Sequence, residues 1–135
     1  MRNQSIFLFR SFVIFNTVLL LPFFSFANYN IDSLNTALSK QKPDSNKVKT
    51  LKIIADSLFI FNDFSNAFVF GKKALKLSEQ IHYEKEKGEI YFRLGMTNVR
   101  LFDNVEALRY LQNALKEYNR AGDKAGEAYT YTENK

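Results

Sequence analysis

The chain repeats itself at a 40-residue shift, and no other feature constrains its fold as strongly. At that shift Ala55 falls on Gly95, Ala67 on Ala107 and Ala74 on Ala114. Larger apolar residues follow the small ones: Leu51 falls on Tyr91, Ile54 on Leu94, Phe61 on Leu101, Phe68 on Leu108 and Leu75 on Leu115. Asp63 meets Asp103, and Lys76 meets Lys116. Side-chain size and polarity therefore recur together, which points to one structural unit used more than once.

Inside each unit the apolar period is helical. Ala107, Leu108, Leu111, Ala114, Leu115 and Tyr118 make one stripe on a 3.6-residue period. Ala67, Phe68, Gly71, Ala74, Leu75 and Ser78 answer it one unit earlier. A preceding helix carries Leu51, Ile54, Ala55, Leu58 and Phe61, matched by Tyr91, Leu94, Gly95, Asn98 and Leu101. Asn62-Asp63 and Asp103-Asn104 break the two helices of each unit, and their side chains can cap the helix that follows. Two helices joined by so short a break must fold back on each other. The spacing predicts hairpins over residues 46–61/64–81 and 86–101/104–120. Gly95 costs its helix about 1 kcal/mol relative to alanine, so its place there implies a close helix crossing. Phe59, Phe61, Phe64, Phe68 and Phe70 are expected in core and inter-repeat packing.

Tyr91, Leu94-Gly95, Ala107, Leu111 and Ala114 together resemble the tetratricopeptide pattern of an aromatic, Leu-Gly, Ala, a large apolar residue and Ala. The first unit departs from it: Ala55 stands at the family's glycine and Gly71 at its large apolar position. In the second unit Asn98 stands where an aromatic is usual, and Asn119 where a proline often closes the unit. The period resembles that of the longer subgroup of the family. The resemblance implies an all-α fold, antiparallel helical hairpins stacked as a short right-handed solenoid over residues 46–135. Its units would be 48–87, 88–127 and an incomplete third over 128–135.

The two ends differ from this array. Arg2 and Arg10 precede a largely apolar run, Ser11 to Phe24, and Ser25-Phe26-Ala27 then supplies small residues. Basic start, apolar run and small-x-small end form the pattern of a secretory signal over residues 1–27, cleaved before Asn28. The alternative is an uncleaved inner-membrane anchor, although the apolar stretch between Arg10 and Asn28 is marginal in length for a span. Arg2 and Arg10 are the only charged side chains in this segment, so cleavage would lower the net charge from +5 to +3. Residues 28–45 are expected to contain a leading helix with Ile31, Leu34 and Leu38 on one face, ended at Pro43 and followed by an Asp44 or Ser45 cap. At the other end Gly122-Asp123 marks a turn into a third unit that stops after Lys135. The stripe of Tyr110, Leu111 and Tyr118 is then expected to be partly uncovered and open to self-association. The chain reads as a fragment of a longer array.

The sequence offers little to a catalytic reading. With no cysteine and one histidine, thiolate sites, disulfides and histidine clusters within one chain are excluded. His82 reads as an exposed loop residue, and Glu84, Glu86 and Glu89 as carboxylates on wet charged stretches. Mixed signs such as Glu84-Lys85-Glu86-Lys87 argue against a nucleic-acid partner. The expected function is therefore non-enzymatic, without cofactor or metal. In the tetratricopeptide family the first helix of each hairpin lines a groove for a peptide or partner helix. Carried over position by position, the resemblance assigns Lys49, Lys52, Asp56 and Phe59 from the first unit. The second unit supplies Glu89, Phe92, Arg93, Met96 and Arg100. Such a face suits an extended segment with an acidic and an apolar residue. Asp56 and Arg93 replace the asparagines of the subgroup that clamps a C-terminal carboxylate. Two roles remain: a periplasmic or secreted adaptor, or the N-terminal sensory region of a membrane-bound histidine kinase, cyclase or transcription regulator.

Overall fold

The computed structural model describes residues 30–133, and the signal-like segment 1–27 and the last two residues lie outside them. The described residues form six α-helices and no strand. They are α1 (Ile31–Ser39), α2 (Ser45–Ile60), α3 (Phe64–Gln80), α4 (Lys87–Arg100), α5 (Asn104–Ala121) and α6 (Lys124–Glu133). The chain divides into two compact bodies, residues 1–40 and 41–135, with α1 in the first and the other five helices in the second. No described helix is long and apolar enough to cross a membrane.

The caps read from sequence at Asp44, Asp63 and Asp103 start their helices, and Asn30 and Asp123, not read as caps, do the same. Asn30 accepts the amides of Asp32 and Ser33, and Asp44 accepts those of Asn46 and Lys47. Asp63 caps α3 through Asn66, Asp103 caps α5 through Glu106, and Asp123 accepts the amide of Gly126 in α6. Each such bond satisfies an amide that the helix leaves without a partner.

Helix ends show a second regularity. Asn62, His82, Phe102 and Gly122 all have positive φ, between 54° and 68°. In each case the residue's own amide reaches back three positions, to Phe59, Glu79, Val99 and Asn119. The next amide reaches back five, to Leu58, Ser78, Asn98 and Tyr118. This paired closure absorbs the orphan carbonyls of the last turn. Four identical endings put the 40-residue repeat into the backbone, at 62 and 102 and again at 82 and 122. The sequence placed breaks at all four sites, but only Gly122 announces the left-handed conformation, because Asn, His and Phe hold that position elsewhere.

Packing follows the small residues. α2 pairs with α3, and α4 with α5, as antiparallel hairpins. Ala55, Ala67, Ala74, Ala107 and Ala114 are all buried. A Cβ on Gly95 would lie 2.7 Å from Leu111, so only glycine admits the leucine there. Gly71, which occupies the family's large-residue position, instead receives Leu94, whose Cδ2 would be 2.9 Å from an added Cβ. Asn98 is buried at its aromatic-like position and satisfied, because its Nδ2 donates to the Leu94 carbonyl at 2.8 Å.

Three expectations about burial need correction. Phe61 is 78% exposed and Leu108 is also exposed, because the stripe facing the core is narrower than the apolar sequence. Phe70 is fully buried, and Phe59, Phe64 and Phe68 are half-buried. The opening expected over Tyr110, Leu111 and Tyr118 is closed: their exposures are 2%, 2% and 8%. α6 covers Tyr118, whose ring is held between Gly126 of α6 and Gly88 of α4, while Tyr110 packs on Phe68 and Tyr91 and Leu111 on Gly95. The outermost face moves to α6, where Ala125, Ala128 and Tyr131 are exposed.

Candidate functional site

A cleft of about 190 Å³ opens on the side of the first helices. Lys52 and Asp56 of α2, Glu89, Phe92 and Arg93 of α4, Tyr118 of α5 and Tyr129 of α6 line it. Five of the nine groove residues assigned by resemblance thus converge. Lys49, Phe59, Met96 and Arg100 do not line it. Met96 packs against the core cluster of Phe92, Leu111, Ala114 and Tyr118. Phe59 meets Phe64 edge-on at 5.4 Å between centroids, and the Arg100 guanidinium lies 6.0 Å from the Phe59 ring and 5.7 Å from Phe64.

Charges in the cleft are largely answered from within. Arg93 Nε donates to Asp56 Oδ1 at 2.5 Å, and the same guanidinium stacks 4.9 Å over Phe59. Lys52 pairs with Glu89 and, at 3.2 Å, with Glu86. Burial alone would lower the Lys52 pKa, but Glu89 and Glu86 together outweigh it and hold the ammonium above the usual lysine value. Glu86 corrects the sequence reading of wet carboxylates. Its side chain is largely buried, and it makes no capping bond to its own helix because its carboxylate crosses to Lys52 of α2. Partly exposed pairs of this kind contribute about 0.2–1 kcal/mol each, so they fix the spacing of α2 and α4 more than they stabilise it.

The apolar part of the cleft is aromatic. Phe92 and Tyr129 lie 5.1 Å apart between centroids, with Tyr118 beside them. Burial first, and the nearby Glu89 and Asp123 carboxylates next, push the Tyr118 phenol up to about 12. Tyr129 was legible in principle: at the 40-residue shift it falls on Glu89, which in turn falls on Lys49. Extending the register into the third unit finds it. Tyr118 was read only as a stripe residue, and no pattern marks it as reaching the cleft.

A volume near 190 Å³ is below the range of enclosed small-molecule sites and fits one inserted side chain. His82 is exposed in the α3–α4 turn. Among the described residues no three acidic or histidine side chains gather to hold a metal ion. Compared with protein-family models, curated proteins and solved structures, the chain matches none.

Proposed function

We propose that the chain is a non-enzymatic, tetratricopeptide-type interaction module that binds an extended peptide segment along α2 and α4. The supporting observation is the convergence of Lys52, Asp56, Glu89, Phe92 and Arg93 into one cleft with an aromatic wall. Because Lys52 and Arg93 already have carboxylate partners, the cations left to meet an acidic residue are Lys49 and Arg100, which form no ion pair with any described carboxylate. The ligand is then an extended segment whose apolar side chain enters the cleft against the packed Phe92 and Tyr129 rings, flanked by an acidic residue. The signal-like start of residues 1–27 supports a periplasmic or secreted setting.

Selection of the full chain against a displayed random-peptide library tests this reading. The expected result is a consensus with one large apolar residue and a neighbouring acid. Tyr129→Ala should abolish its enrichment, and Arg100→Glu should remove the acidic preference alone. Recovery of no consensus, or of one that neither variant disturbs, would overturn the proposal.

A further inference from the structure

Away from the cleft, two turns carry apolar residues that the fold leaves in water. Phe102 is 90% exposed, Val105 81%, Phe61 78% and Ile60 72%. Ile60 ends α2, Phe61 and Phe102 lie in the α2–α3 and α4–α5 turns, and Val105 is in the first turn of α5. The two turns are neighbours, since Arg100 at the end of α4 reaches Phe59 and Phe64 across the first turn. Phe102 adds a second oddity. It holds a left-handed φ of 61°, a conformation that is an outlier for a bulky side chain, yet its ring packs on nothing.

Behind these turns the exposed side of α3 and α5 becomes basic. Val69 is followed by Lys72, Lys73 and Lys76, and Val105 and Leu108 by Arg109 and Lys116, all exposed. Lys72 also reaches the Tyr110 hydroxyl and Lys73 stacks on Phe70, which spreads both side chains along the surface. Across residues 60–80 and 100–120 seven cations face five acids. Those acids are engaged: Asp63 and Asp103 cap helices, Glu106 pairs with Arg109 and Glu117 with Arg120, and Glu79 accepts the Tyr91 hydroxyl. At 1.5 Å of rise per residue Arg109 stands about 8 Å behind the start of α5 and Lys72 about 12 Å behind the start of α3. Helical side chains lean toward the N-terminus, here the tip, which brings these cations closer to headgroup level.

We propose that these two turns dock on an anionic lipid surface, with Phe61 and Phe102 entering the bilayer boundary and the lysines of α3 meeting headgroups. The apolar side chains stand apart on separate turns. A fluid surface takes in such separate knobs, whereas a protein partner would need a matched pocket for each. The positive excess behind them complements anionic headgroups.

The chain has no tryptophan, so a single reporter can be placed at either end of the helices. Phe102→Trp puts it on the proposed tip. His82→Trp puts it in the same left-handed backbone position at the opposite end. Full-length protein is mixed with vesicles of phosphatidylcholine alone or with phosphatidylglycerol, some carrying brominated acyl chains. Phe102→Trp emission should move to shorter wavelength and be quenched on the anionic vesicles only, with His82→Trp unchanged. Adding Lys72→Gln, Lys73→Gln and Lys76→Gln should raise the anionic lipid needed on the order of a hundredfold, about fivefold per lysine. Three results overturn the proposal. Vesicles can pellet with protein while Phe102→Trp stays aqueous, which leaves residues 1–27 as the only attachment. Both reporters can shift alike. The Phe102→Trp shift can appear without lipid as protein concentration rises, which assigns the tip to a second copy.

Discussion

The first hairpin, α2 with α3, and the second, α4 with α5, end their helices with the same hydrogen bonds but fill their crossings in opposite ways. α5 carries large residues, Leu111 and Tyr118, into gaps left by glycines on the neighbouring helices. α3 has Gly71 and Ser78 at those two positions, and Gly71 is itself the gap, filled by Leu94 of α4. Ser78, fully buried, turns its hydroxyl back to the Leu75 carbonyl at 2.7 Å. The repeat is therefore kept as backbone while knob and hole are exchanged. What such a fold demands of each crossing is one large and one small partner, and either helix can supply the large one.

The largest effect should come from removing a knob. Leu111→Ala leaves the Gly95 gap empty and should cost about 2–5 kcal/mol, read from urea unfolding. The inverse change, Gly71→Leu, pushes a second large side chain against Leu94 and should cost about 1–3 kcal/mol despite better helix propensity. If Leu111→Ala costs under about 1 kcal/mol, the exchange of knob and hole has no energetic meaning.

Tyr118 separates the hairpins by pH as well. Its phenol is raised from 10.0 to about 12, so the fold favours the neutral form. Stability from this group is complete below pH 10 and is lost as pH climbs toward 12. A shift of that size corresponds to a loss of at most about 2–3 kcal/mol, less to the extent that solvent screens the phenol. Ser78 gives the first hairpin nothing comparable. Unfolding measured across this range should show the fall in the native chain and a shallower one in Tyr118→Phe, where only groups such as Lys52 remain. Equal slopes would mean that Tyr118 ionises as freely folded as unfolded.

The alanine crossings offer a smaller, symmetric contrast. Ala67 and Ala107 are equivalent and both buried. Ala107→Leu and Ala67→Leu should each cost about 1–3 kcal/mol through overpacking. The Ala107 carbonyl would lie 3.3 Å from a Cβ on Gly95, so the second site has less room and should cost more. A reversed order would place the tighter crossing in the first hairpin.

These contrasts also mark what the residues disclosed beforehand. Small residues at close crossings and Asp before helices are local signals, and the 40-residue shift amplified both, so hairpin limits came out within one residue or so of those observed. Of the cleft lining, Lys52, Asp56, Glu89, Phe92 and Arg93 are positions that the tetratricopeptide resemblance assigns to a groove, but the Lys52–Glu86 pair depends on how two helices separated by a third are spaced, which no local pattern encodes. The cover over Tyr118 was misjudged for a related reason. No motif marks Gly126, whose missing Cβ is what admits the ring.

The smallest expected effect concerns the turns, where backbone is shared and side chains are not. Asn62 and Phe102 occupy equivalent left-handed positions in the two hairpins, with φ of 62° and 61°. Asparagine enters that region readily because its short polar side chain bonds locally, whereas a bulky ring there is strained. Phe102 is bare to solvent, so replacing it removes no packing to offset the gain. Phe102→Asn should therefore stabilise the chain by about 1 kcal/mol, and Asn62→Phe should destabilise it by a similar amount. For a body of this size that corresponds to roughly 4–8 °C in melting temperature, in opposite directions for the two variants. A chain stabilised by Phe102→Asn yet impaired in lipid docking would show strain retained for a surface role. An unchanged melting temperature would mean that the turn accepts phenylalanine without cost, and the two hairpins would then differ only in their crossings.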